Sequence, residues 1–110
     1  MNVNSEIFRL MQEQPIERDI NPLLEPGTLV SHFKRDLIQT DDPAMYVYRV
    51  ICVATHSETQ EPMVVYQACY GDRLFYCRPL SMFVDKVDKQ KYPDAKQKWR
   101  FERIWRNEVP

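Results

Sequence analysis

The chain has 110 residues, 44% hydrophobic and 28% charged, with a net charge of −1. That length suits one domain burying roughly two-thirds of its unfolded surface around a single core. The composition excludes a disordered chain, and no run approaches the ~18 apolar residues of a membrane helix. The opening, MNVNSEIFRL, lacks the basic start and apolar core of a secretory signal. Cys52, Cys69 and Cys77 form an odd set at no framework spacing, which suits a reducing cytoplasm. Charge is uneven: residues 1–45 hold four Lys/Arg against eight Asp/Glu, whereas residues 86–110 hold eight against four.

Asn4 or Ser5 caps a predicted helix running to Gln14, with Ile7, Leu10 and Met11 on one side; Pro15 stops it. Residues 15–27, with three prolines and Gly27, read as an irregular lead-in. From Thr28 to Phe33 the period is two, setting Leu29 and Phe33 on one face and Val30 and His32 on the other. A polar segment, 34–43, leads to YVYRVICVA at 46–54, rich in β-branched and aromatic residues. MVVYQACY at 63–70 is similar, and its near-continuous apolar run predicts a strand covered on both faces. Gly71-Asp72 then closes a tight type II′ hairpin with RLFYCR at 73–78, because a residue without Cβ tolerates positive φ. Pro79 ends that strand, Leu80–Phe83 forms one compact turn, and Val84–Val87 resumes extended structure. After a polar excursion, WRFERIW at 99–105 is predicted as the last strand, with Trp99, Phe101 and Trp105 on one face. The fold predicted is mainly β: a small SH3-like antiparallel barrel or roll over residues 26–106, preceded by a short N-terminal helix and lead-in over 1–25. Closure of the roll hides strand edges.

Particular residues carry a family resemblance. HSET-x-EP-x-VVY-x-A-x-YGD runs from His56 to Asp72, followed by Arg78, Pro79, Met82 and Phe83 and later by Arg100, Phe101, Glu102 and Ile104. Upstream, Pro26 and Gly27 precede His32, Phe33 and Lys34. Over about residues 26–104 the sequence resembles the bacterial family catalogued as domain of unknown function 1653. The resemblance implies an SH3-like β-roll in the bacterial cytoplasm and no established activity. Relative to the family pattern, Arg35–Met45 and Asp88–Lys98 read as insertions, and residues 1–25 as an addition.

Three functional readings follow. The leading one is a non-catalytic binding or interaction module for a protein, peptide or small-molecule ligand. Its site gathers His32, His56, Ser57, Glu58, Thr59, Tyr76 and Arg78 at one end of the roll, with hydroxyls, carboxylate and guanidinium presented from a rigid sheet. Tyr66, Tyr70, Tyr76 and Arg78 make the hairpin an aromatic-plus-arginine surface of the kind that grips peptides or stacks bases. The second reading is a small hydrolase or nucleotide-modifying enzyme in which His56 acts as general acid or base, oriented by Glu58 or Glu61. Ser57 makes a poor nucleophile, since the adjacent imidazole cannot easily fold back onto its hydroxyl. The third is nucleic-acid binding through Lys98, Arg100 and Arg103, against which the alternation with Trp99 and Phe101 argues plain amphipathicity. No metal-ligand spacing is present and no cofactor is expected. The cysteines, inside apolar strands, are expected to be buried as small hydrophobes.

Overall fold

The computed structural model describes residues 18–104; the predicted helix through Gln14, and Trp105, lie outside them. The element order is α1 (Asn21–Leu24), β1 (Leu29–His32), a 3₁₀ turn (Phe33–Leu37), β2 (Val47–Thr55), β3 (Pro62–Ala68), β4 (Phe75–Pro79), α2 (Leu80–Phe83) and β5 (Phe101–Arg103). All five strands form one antiparallel sheet in the order β4-β3-β2-β1-β5. The last strand returns beside the first after one helical turn and the segment 84–100, which rolls the sheet. β4 and β5 do not pair, so the roll is open and is not a closed barrel.

The concave side carries the core: Val30, Tyr48, Val50, Val64, Tyr66, Leu80, Phe83 and Phe101 are all buried. Each such side chain contributes roughly 1.5–3 kcal/mol by leaving water. Ile20, Leu23 and Leu24 join this cluster, so the lead-in from residue 18 packs as part of the same core. Phe33 does not continue β1. It turns into the 3₁₀ segment and packs with Val87, Ala95 and Tyr92 in a second cluster, joining the segments read as insertions. Asp36 fastens that junction by accepting the Lys96 and Gln97 N–H groups at 2.9 and 3.0 Å.

Burial along β3 alternates strictly, with Pro62, Val64, Tyr66 and Ala68 inside and Met63, Val65 and Gln67 half-buried outside. The expected covering of both faces is therefore corrected: a single sheet rolled on itself has only one inside. Leu80–Phe83 is one α-helical turn. The predicted 84–87 strand reduces to a bridge between Lys86 and Trp99, and the last strand to Phe101–Arg103.

Gly71, at φ 58°, opens the hairpin turn, which the Arg73 N–H closes on the Tyr70 carbonyl at 3.1 Å. Arg73 also takes a positive φ, of 56°.

The cysteine expectation is overturned. Cys52 and Cys77 are exposed and Cys69 is half-buried. For Cys52 the cause is a bulge: the register runs Val50↔Tyr66 and then Cys52↔Val65, leaving Ile51 as an extra residue. One extra residue inverts the parity of all that follows. Tyr48 and Val50 point inward before it, Val53 packs on the core after it, and Cys52 turns out. Cys77 shares the outer face with Val65, its cross-strand partner. A thiol reagent added to the native protein is expected to modify Cys52 and Cys77 rapidly and Cys69 more slowly. Mass spectrometry of the labelled peptides reads this; three uniformly slow thiols would contradict the bulge.

Candidate functional site

The concave face is lined by aromatic residues from four strands and the turns beside them. Tyr48, near its centre, meets Tyr66, Tyr70, Tyr76 and Phe101 edge-on, with ring centroids 5.3–6.1 Å apart. Its hydroxyl hydrogen-bonds that of Tyr70 at 2.7 Å. Burial raises the pKa of both phenols, so they stay neutral and serve as hydrogen-bonding groups. Tyr66 and Tyr76, directly opposed on β3 and β4, stack at 5.8 Å, and Tyr76 remains 41% exposed. Tyr46, at a left-handed φ of 59°, brings its ring beside His32 and Tyr70. A bulky residue in that region costs of order 1 kcal/mol, offset by what the ring packs against.

His32 is 7% exposed and stands between Phe33 and Phe101. Its Nδ1 accepts the Lys34 N–H at 3.1 Å, which places the ring proton on Nε2. Burial, and then the charges of Arg78, Arg100 and Lys34, lower its pKa to about 3. The imidazole is thus a neutral group in an electropositive corner. Arg100 donates from Nε to the Met82 carbonyl at 3.0 Å. Arg78, opposite Val64 on the inward side of β4, has no hydrogen-bond or ion-pair partner among the described residues.

The HSET loop is a closed hydrogen-bonded turn. His56 Nδ1 accepts the N–H groups of Glu58 and Thr59 at 3.1 and 3.2 Å, as an Asx side chain does in a turn. The His56 N–H reaches the Glu61 carbonyl, and the Gln60 N–H reaches the His56 carbonyl, both at 2.9 Å. Thr59 Oγ1 donates to Glu61 Oε1, and Gln60 Nε2 donates to the Ser57 carbonyl. Ser57, Glu58 and Thr59 are exposed. No carboxylate hydrogen-bonds the His56 ring among the described residues, and its Nδ1 lone pair is already engaged.

The sequence-predicted residues therefore divide. His32, Tyr76 and Arg78 belong to the concave face. His56, Ser57, Glu58 and Thr59 lie beyond the far end of β2, whereas the His32 N–H bonds Tyr46 just before its near end. Nine strand residues at ~3.3 Å each put about 30 Å between those ends. Arg78 lies closer to the loop, since its partner Val64 is two residues from Pro62. Arg100 joins the cationic corner, while the Lys98 ammonium sits 5.3 Å from the Trp99 ring centre and Arg103 is exposed on β5.

Tyr46 and Tyr48 were not read as site residues, because residues 46–54 look like plain core strand, and Lys34 entered only through the family motif. Arg18 was also missed. Its guanidinium donates to the Phe101 and Val84 carbonyls at 2.9 and 3.3 Å and lies 4.4 Å from the Trp99 ring centre. Burial lowers its pKa to about 10, against the favourable charge of Glu102. No periodic signal marks such a clamp. On the outer face a cleft of about 290 Å³ lies among Leu29, Val47, Arg49, Gln67, Cys69 and Arg73, away from all of these groups. Among the described residues no three His, Cys, Asp or Glu side chains gather as a metal-ligand set, and no helix is long and apolar enough to cross a membrane.

The family model described as "Protein of unknown function (DUF1653)" matches residues 28–103, the whole sheet from β1 to β5. The chain belongs to this family. No curated protein and no solved structure gives a match. The matched span takes in the HSET turn, the tyrosine cluster, Arg78 and Arg100, so the DUF1653 region contains the entire concave face. It also takes in both segments that pack through Asp36 and Phe33, while Arg18 and α1 precede it.

Proposed function

We propose that this DUF1653 protein is a non-catalytic binding module of the bacterial cytoplasm, and that the rim of its concave face, formed by Tyr76 and Arg78 on β4, takes a protein or peptide segment bearing an acidic residue. One observation carries the reading: Arg78 stands beside the exposed ring of Tyr76 without an acidic partner among the described residues. Lys34 and Arg100 add positive charge at the same corner. A partly desolvated guanidinium receives a carboxylate in two parallel hydrogen bonds, and the tyrosine rings supply stiff apolar contact at low entropic cost. The His56–Glu58 route to catalysis lacks the hydrogen bond it needs, which favours binding over turnover. The HSET turn then serves to join β2 and β3.

The test is selection of random peptides displayed on phage against the full chain, followed by titration of the recovered peptides. Enrichment of acidic residues is expected, and Arg78→Ala should weaken binding roughly 10-fold or more, the worth of a charge-assisted hydrogen bond. Tyr76→Ala should weaken it severalfold, whereas Glu58→Gln should leave it unchanged. Equal affinity of wild type and Arg78→Ala would overturn the proposal.

A further inference from the structure

The strand carrying Tyr76 and Arg78 is an edge of the sheet. β4 pairs with β3 alone, and no described residue pairs with its other side. Its hydrogen-bonding phase follows from the neighbouring residue, since the Ala68 N–H reaches the Leu74 carbonyl at 3.0 Å. In an antiparallel ladder hydrogen-bonded pairs alternate with non-hydrogen-bonded ones. Leu74, Tyr76 and Arg78 therefore turn their backbone groups toward β3. Phe75 and Cys77 turn theirs to the open edge.

Natural edge strands are usually blunted by lysine, an inward charge, a bulge or an interior proline. β4 has no lysine, its register with β3 is unbroken and its proline stands only at its end; its one charged side chain, Arg78, points inward, and an acid on an added strand would pair with it. Leu74, Phe75 and Tyr76 are 55%, 63% and 41% exposed, and Cys77 is exposed as well. An apolar edge that the described residues leave open is a template for another strand.

Building on the binding reading above, we infer that the partner docks as an extended segment hydrogen-bonded to the free edge of β4, forming a sixth strand. Its chemistry follows from the two faces of β4. Side chains on the concave side meet Tyr76 and Arg78 and so include an acid. The residues flanking that acid point to the other face and meet Phe75 and Cys77, so they are apolar. The occupant is thus a segment alternating apolar and acidic residues, selected by the charge of Arg78, Arg100 and Lys34. A second copy of the chain fits less well, because β4 would offer its twin an arginine and no acid.

The experiment uses the full chain and the peptides recovered by phage display. Amide hydrogen exchange at Phe75 and Cys77 is expected to slow at least roughly 10-fold on peptide binding, as solvent-facing N–H groups become paired. Cys77→Pro removes one outward N–H without taking a bond from β3 and should weaken binding by a similar factor. Phe75→Lys, which alters only an exposed side chain, serves as a second disruption should the proline variant fail to fold. Binding that depends on Arg78 but leaves both amides unprotected would overturn strand addition while sustaining the concave-face reading. Binding indifferent to Arg78, or no recovered peptide at all, would remove both. Concentration-dependent protection of the same amides in the free protein, with a dimer by light scattering, would assign the edge to a second copy and overturn the inference.

Discussion

Replacing Phe101 by Ala is expected to cost about 3–5 kcal/mol of folding stability. The ring is 1% exposed, stacks on Phe83 at 4.2 Å with an interplanar angle of 11°, and meets the edges of His32, Tyr48 and Tyr66. It therefore touches side chains from β1, β2, β3 and α2, and it is the main apolar anchor of the three-residue β5. Truncation leaves a cavity that four aromatic rings, already constrained by each other, cannot collapse to fill. Against a total of roughly 5–15 kcal/mol for a domain, the variant is close to unfolding. Urea titration should show a much lower midpoint at unchanged slope. Phe75→Ala, at a site 63% exposed, is the control and should shift stability by no more than about 0.5 kcal/mol. Similar losses in both would mean that Phe101 is not the keystone its contacts imply.

The second large effect is on pH dependence. His32 is held neutral in the folded chain, its pKa lowered from 6.5 to about 3 by burial and by the charges of Arg78, Arg100 and Lys34. The unfolded chain binds a proton there near pH 6.5, so between about pH 6.5 and about pH 3 unfolding takes up one proton that the native state refuses. Stability is consequently complete above pH 6.5 and falls as pH drops, by about 1.4 kcal/mol per unit inside that window. The full loss across the window is on the order of 5 kcal/mol. His32→Phe preserves the ring packing on Phe33 and Phe101 and removes the titrating group. Urea midpoints at pH 7 and pH 4 should separate strongly for the wild type and much less for this variant. Carboxylates titrate in both chains and cancel in the comparison. Equal pH dependence in the two proteins would show that His32 is reachable by solvent protons in the fold.

Local chemistry alone determined much of the architecture. Gly71 permits the hairpin turn, Pro79 halts β4, and the β-branched and aromatic runs of 46–54 and 63–70 became the central strands. These are decisions taken within a few residues, and neighbours along the chain are enough to make them. The HSET turn was likewise legible as a connector, though not the use of the His56 imidazole as its internal cap.

Tertiary structure decided which side of each strand faces inward. Period-two reading places Cys52 with Tyr48 and Val50, and only the bulge at Ile51, a matter of pairing with β3, sends it outward. The same holds for the concave face. Whether His32 meets Arg78 and Arg100 depends on how strands distant in sequence curl toward one another, and no local pattern encodes that curvature. Arg18 shows the limit most clearly: its partners, the Phe101 and Val84 carbonyls, lie 83 and 66 residues away. Strand identity is thus written in short-range sterics, whereas the face, edge and charge available to a partner arise only once the sheet has rolled.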